Sequence, residues 1–227
     1  MLAASDYNGV VICTDKMLKR AMEEGVRVDY VMTVDCSPKI IPFYEGIETD
    51  AAAVFNSSID PGVIEAFKGP EIYYYHSYYG DPGSVGSVSY AMQEMTGHTV
   101  LTSAGCCGNC AWILARFLKM KVIALVGMDL GWNIDFPPEK INYWDFYLQH
   151  HDENYIYGKL LRKERHPFFD EEYYTCYMFQ GYIEAFEGLH TKIEKRDGKS
   201  RTINCTGGGM ITFTESAHLK DFLKEFT

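Results

Sequence analysis

The chain has 227 residues, 47% of them hydrophobic, and a net charge of −10 from 31 acidic and 21 basic side chains. That length is enough to bury a full core and is read as a single α/β domain over residues 1–227. The acidic balance argues against nucleic acid or an anionic membrane as partner. No apolar run reaches the ~20 residues of a membrane span, and no basic region followed by an apolar core opens the chain, so a cytoplasmic protein is expected.

In chain order, Gly9-Val-Val-Ile-Cys-Thr14 reads as a buried strand, and residues 15–24 read as a helix that Gly25 closes at its C′ position. The next predicted strand, 28–35, ends on Asp35, and Ser37-Pro38 opens a short helix. A third strand, 51–55, runs into Asn56-Ser57-Ser58, and Asp60-Pro61 then starts a helix with an N-cap and a proline at the first helical position. Residues 71–76 form a tyrosine-rich strand whose end carries His76, Ser77 and Asp81 before a Gly/Pro/Ser loop over 80–87. A helix over 88–95 is stopped by Gly97.

Residues 98–132 are the organising stretch. Thr99-Val-Leu-Thr102 is a strand, Ser103-Ala-Gly-Cys-Cys-Gly-Asn109 a small-residue turn, 110–120 a helix with Ala111, Leu114, Ala115 and Leu118 at helical spacing, and 121–126 a buried strand. Strand and helix alternate about six times before residue 130, which predicts a doubly wound, mostly parallel, Rossmann-like α/β sheet. Such sheets bind ligands beyond the carboxyl ends of their strands. There Gly105, Gly108 and Asn109 would let backbone N–H groups and a helix N-terminus hold a phosphate. Asp35 and Asp129, each directly after a strand, could hold Mg²⁺ or a ligand hydroxyl. The plainer alternative is a tight turn and a helix cap.

The seven cysteines, odd in number and without framework spacing, indicate reduced thiols. Cys107 and Cys110 could form a redox pair or, with Cys106 nearby, half of a zinc site, but no second CxxC exists to complete one. Packing against the glycine turn is the simpler role.

After Trp132 the pattern changes, and residues 133–170 read as an insertion or lid over the crevice, its core an aromatic and charged segment over 142–165. His150, His151, Asp152 and Glu153 resemble metal ligands in type, but adjacent residues on a helix point in different directions. Residues 171–189 are predicted helical, with Tyr174, Met178, Tyr182, Ala185 and Leu189 on one face, before a charged turn over 192–201. A last strand, 201–205, leads into Thr206-Gly-Gly-Gly-Met210. There Thr206, Gly207 and Gly208 would add a glycine wall that lets backbone approach a ligand or another loop. Ser216 caps a final helix over 217–226.

Three motifs, Ala104-Gly-Cys-Cys-Gly-Asn-Cys-Ala-Trp112, Val126-Gly-Met-Asp-Leu-Gly131 and Ile203-Asn-Cys-Thr-Gly-Gly-Gly209, together resemble the family named for the archaeal 6-hydroxymethylpterin diphosphokinase. The motility-accessory-factor glycosyltransferases belong to that family too. Val11-Ile-Cys-Thr-Asp15 and the run from Gly25 to Asp35 resemble its strand-helix-strand entry. The likeness runs from about residue 9 to residue 223. The family's usual first strand and Gly-rich loop have no counterpart before Gly9, Thr33 stands where an acid is expected, and Gly108-Asn109 stands where the diphosphokinases place aspartates. The resemblance keeps Asp35, His76, Asp81 and Asp129 as counterparts of functional residues.

It implies a Mg²⁺-dependent pyrophosphoryl transfer from ATP to a hydroxymethyl heterocycle, with Asp35 and Asp129 on the metal and His76 or Asp81 orienting or deprotonating the acceptor. Two alternatives stay open. One is a CMP- or UDP-sugar glycosyltransferase, with Tyr143, Trp144, Tyr147 and Tyr155 stacking on sugar or base; the other is a nucleotide- or pterin-binding module without catalysis. A nucleotide and a small-molecule acceptor are the expected partners, and the aromatic content is compatible with a homo-oligomer.

Overall fold

The computed structural model describes residues 1–78, 88–102, 105–141, 144–197 and 200–226. Asp81 with the predicted loop over 80–87, and Tyr143, fall outside the described residues. The chain divides into two compact units, Met1–Met120 and Lys121–Phe226.

The first unit carries five parallel strands, β1 (Ile12–Thr14), β2 (Tyr30–Thr33), β3 (Ala52–Asn56), β4 (Ile72–Tyr78) and β5 (Thr99–Thr102), hydrogen-bonded in that order. Helices α1 (Asp15–Glu23), α2 (Pro61–Ala66), α3 (Val88–Thr96) and α4 (Cys107–Phe117) alternate with them, giving the predicted α/β fold with a parallel sheet. Every residue of the central strand β3 is buried, because neighbours on both sides take its backbone groups and both faces are covered. Its register, Thr33↔Phe55 with β2 and Asn56↔Tyr75 with β4, brings the strand ends to one edge. Leu18, Val31, Tyr44, Phe55, Val63 and Phe67 lead the core, where Tyr44, Phe55 and Phe67 meet edge to face at 5.6–5.8 Å.

Gly25 ends α1 as expected. It has φ +74°, its N–H bonds the Met22 carbonyl at 2.9 Å, and the N–H of Val26 bonds Ala21 at 2.8 Å. α4 begins at Cys107, so Gly108 and Asn109 lie in its first turn rather than in the preceding loop.

The second unit has a parallel sheet in the order β11 (Glu215–Ser216), β10 (Arg201–Asn204), β6 (Val122–Leu125). It also has an antiparallel one, β7 (Trp132–Asn133), β9 (Glu172–Cys176), β8 (Leu161–Arg165). Within residues 133–170 lie the short helices α5 (Trp144–His150) and α6 (Glu153–Tyr155), a π-helical turn Ile156–Leu160, and β8. α7 (Tyr177–Asp197) and α8 (Leu219–Phe226) complete the unit. The predicted helix over 171–189 is therefore corrected. Residues 172–176, Glu-Tyr-Tyr-Thr-Cys, pair with both β7 and β8, and the helix starts at Tyr177 and continues to Asp197, through most of the predicted charged turn. Aromatic and β-branched side chains favour the pleated surface, and two partner strands outweigh a helical face that those five residues also fit. Among the described residues, no helix is long and apolar enough to cross a membrane.

Candidate functional site

In the first unit the carboxyl edge of the sheet gathers polar groups from successive strands. β1 hands over directly to Asp15, whose side chain is only 6% exposed. Its Oδ1 accepts from the Lys16 amide at 2.7 Å, and its Oδ2 accepts from the Cys107 thiol at 3.7 Å. Burial pushes the Asp15 carboxyl above the ordinary range; the two donors pull it down, and the charge of Asp35 adds to the rise. Asp35 follows β2, is exposed, and accepts from the Ser37 amide at 2.8 Å. Cys107, in the first turn of α4, is held between Asp15 and the backbone of Val34, which ties that helix end to the ends of β1 and β2. The thiol is pushed up by burial and then by Asp15, and Cys13 is raised by the same two causes to about 12. Thiols held protonated are poor nucleophiles and metal ligands, which leaves Cys107 a packing and hydrogen-bonding role.

α4 itself starts after Gly105, at φ +88°, with Cys106 as N-cap and its thiol lying against the Gly108 and Asn109 amides. Asn109 is fully buried there. Gly105, Gly108 and Asn109 are thus brought together, in the same unit as Asp15 and Asp35, at a helix end of the kind that accepts anions.

His76 is nearly buried, with both ring nitrogens engaged. Nδ1 lies 2.6 Å from Ser57 Oγ and Nε2 lies 2.9 Å from Thr96 Oγ1. His98 stacks on it at 5.6 Å. Burial, then the neighbouring His98, holds the His76 imidazole below its ordinary value. Half-buried Ser57, directly after β3, is thus bonded to buried His76, which lies within β4 rather than at its end, since that strand runs on to Tyr78.

Asp129, Thr206, Gly207 and Gly208 belong to the second unit. Asp129 follows β6 on a turn with Gly127 at φ +70° and Leu130 at φ +48°. Burial raises its carboxyl above the ordinary range. Thr206 accepts from the Met128 amide at 3.2 Å, and the Met210 amide bonds the Asp129 carbonyl at 2.7 Å, so the two loops are laced together. A Cβ on Gly209 would meet the Asp129 backbone at 2.7 Å, and one on Gly208 would run into the Tyr173 ring. These two glycines serve contacts within the unit, whereas Gly207, exposed and at φ +91°, has open space around its Cβ position. Beneath the loop, buried His166 takes the Phe168 and Phe169 amides on Nδ1 and donates from Nε2 to the Ile211 carbonyl. Fully buried Asn204 donates to Ile211 at 2.9 Å and accepts from the Thr206 amide at 2.9 Å.

Elsewhere in the second unit, a cleft of about 320 Å³ is lined by Arg162, Arg165, Glu184, Glu187 and Gly209 among others, but by none of the predicted site residues. Trp144, expected to stack on a ligand, is a core residue packed with Ile156 and Leu161, while Tyr155 is partly exposed and stacks on His151 at 4.5 Å. Asp15 and Ser57 are the two residues that the sequence did not single out. Ser57 stands directly after the buried strand β3 and Asp15 directly after the half-buried β1, and that position at a strand end was their signal.

A solved structure, the MAf glycosyltransferase from Magnetospirillum magneticum AMB-1, matches 92% of this chain at 18% identity with a TM-score of 0.63. This chain spans 29% of that one, and at such identity the likeness is one of fold. No curated protein matches the chain. Residues 1–135, more than half of the 227, match the family described as 6-hydroxymethylpterin diphosphokinase MptE-like. Family and neighbour are both named for transferases, and a transferase-type function is what the two have in common. By the match over its first 135 residues, the chain belongs to the 6-hydroxymethylpterin diphosphokinase MptE-like family.

Proposed function

We propose that the chain is a nucleotide-dependent transferase of the diphosphokinase type, moving a pyrophosphoryl group from ATP to the hydroxymethyl group of a small heterocycle. The observation that carries this reading is the convergence, within the first unit, of the α4 N-terminus, the buried carboxylate of Asp15 and the exposed one of Asp35. A helix end offers amide donors and a favourable dipole to phosphate oxygens.

The carboxylates fit Mg²⁺. No cluster of three or more His, Cys, Asp or Glu ready to hold a metal occurs among the described residues. Mg²⁺ needs none, since it is commonly held by one or two carboxylates with waters and substrate phosphates as its other ligands. Asp15 and Asp35 would hold it, and when bound it would neutralise charge developing on the transferred group. The protein's own share is to fix the phosphates at α4 and to orient the acceptor for in-line attack.

Glycosyl transfer from a CMP- or UDP-linked sugar is the second reading. It is favoured by the extension of the structural likeness beyond the family match, to 92% of the chain. Thermal stabilisation by ATP, AMP, CMP and UDP, each with and without Mg²⁺, separates the two, because a bound ligand raises Tm by mass action. The diphosphokinase reading expects a Mg²⁺-dependent shift with ATP that Asp35→Asn removes, and release of AMP when a hydroxymethylpterin is added. A shift with CMP or UDP alone moves the assignment to glycosyl transfer, and no shift with any of them ends both.

A further inference from the structure

The hydrogen bonds around His76 fix the direction of every proton in the chain that leads to Ser57. Thr96 Oγ1 gives its single proton to the Met92 carbonyl at 2.7 Å and accepts from the His98 amide at 3.2 Å. At its 2.9 Å contact with His76 it can only accept, so Nε2 carries the ring hydrogen. In the neutral imidazole Nδ1 is then a lone pair, and the 2.6 Å contact with Ser57 is an Oγ–H donated to it. Burial and the stacked His98 favour that neutral form. Ser57 makes no other side-chain hydrogen bond among the described residues, so its committed proton leaves it offering only lone pairs.

Position gives those lone pairs a use. β2 and β3 are adjacent, with Thr33 opposite Phe55, so two residues further on Asp35 and Ser57 leave the sheet at the same edge. An alcohol attacking phosphorus must point its lone pair at the phosphorus and its proton at an acceptor. His76, 3% exposed, cannot reach such an alcohol. Half-buried Ser57 can.

We propose that Ser57 is a catalytic residue of the transfer, taking the proton of the acceptor alcohol while passing its own to His76, which acts through it as a positioning residue. The proposal rests on the diphosphokinase reading above. In the step, the acceptor O–H bond breaks and its oxygen bonds the β-phosphorus of ATP. The acceptor's proton goes to Ser57 Oγ, the proton of Ser57 goes to Nδ1 of His76, and the bond from the β-phosphorus to the bridging oxygen breaks with its electron pair leaving on AMP. The imidazolium, disfavoured where it sits, returns its proton to solvent by the same path after release.

The test uses the full chain with ATP, Mg²⁺ and 6-hydroxymethylpterin, following AMP release against pH, together with the thermal shift by ATP and Mg²⁺. Ser57→Ala should keep the wild-type thermal shift while losing about 10²–10³-fold in kcat, a range typical for loss of a general base. It should also lose the acid limb set by His76, whose titratable neighbour in ring contact among the described residues is His98. Ser57→Thr, which keeps the hydroxyl, should recover most of the activity. Nitrogen NMR of wild-type His76 should show the hydrogen on Nε2. A kcat for Ser57→Ala within twofold of wild type, or an Nδ1–H tautomer, overturns the relay while leaving the transferase reading intact. A wild-type chain that shows no Mg²⁺-dependent turnover of ATP overturns the reading, and the relay with it.

Discussion

At the scale of single residues, the informative feature is a carboxylate whose burial outweighs both its hydrogen bonds and the charge of Lys16. Asp15 is almost fully enclosed, and its two hydrogen bonds do not offset the loss of solvent, because burial is the larger effect on its carboxyl. The folded value lies above the unfolded one. The protonated side chain therefore favours folding below the unfolded value, and that contribution is lost as pH rises through the folded value. Asp15→Asn keeps an oxygen for the Lys16 amide and removes the charge, so the variant should be the more stable chain at pH 7, and the difference should vanish in acid. For a chain of this size each kcal/mol relieved raises Tm by about 2–4 °C, within reach of differential scanning calorimetry. On the proposed function, the same substitution should abolish the Mg²⁺-dependent shift with ATP, a trade of stability for function. A destabilised Asp15→Asn would mean that the carboxylate is held by partners its surroundings do not reveal.

At the scale of elements, the Thr206–Met210 loop shows why a run of three glycines is not one signal. Gly209 must be glycine on two counts, a φ of +80° and a Cβ position 2.7 Å from the Asp129 backbone, whereas Gly207 meets only the first requirement. Alanine at position 207 should cost about 1 kcal/mol for its backbone conformation, and at position 209 on the order of 2 kcal/mol more, because backbone rather than a side-chain tip must move. Urea denaturation resolves the difference, and equal losses would show that the Asp129 loop yields freely.

The sequence carries the first kind of constraint better than the second. Gly25 is legible as the end of α1, since a glycine at C′ is the commonest helix stop. The end of α4 is not. Lys119 takes the left-handed conformation at φ +61°, with Met120 bonding back to Ala115 at 3.0 Å, and a lysine advertises no stop. β9 was not legible because strand pairing, with β8 across the short 166–171 connection and with the remote β7, overrode the helical spacing of its apolar residues. The end of β2 shortly before Asp35 was legible from its apolar run, whereas β4 runs on to Tyr78, two residues past His76. That Ser57 bonds His76 was not legible, since it depends on the β3–β4 register.

At the scale of the whole molecule, the charge of −10 sets how a nucleotide would reach the proposed site. A phosphate site built from clustered lysines and arginines attracts its ligand at long range and weakens as salt screens that attraction, over a Debye length of about 10 Å at 0.1 M. A site built from helix amides and two carboxylates bridged by a divalent ion works at contact distance, while the long-range field of an acidic chain opposes a polyanion. Added salt then screens repulsion and leaves the contacts largely intact. Raising NaCl from about 50 to 200 mM at saturating Mg²⁺ should therefore strengthen apparent ATP binding by roughly two- to threefold, or leave it level, through a faster association rate. Titration calorimetry and stopped-flow association across that range measure both quantities. A steep loss of affinity with salt would place the phosphates on basic side chains instead, and would remove the α4 terminus with Asp15 and Asp35 as the binding site.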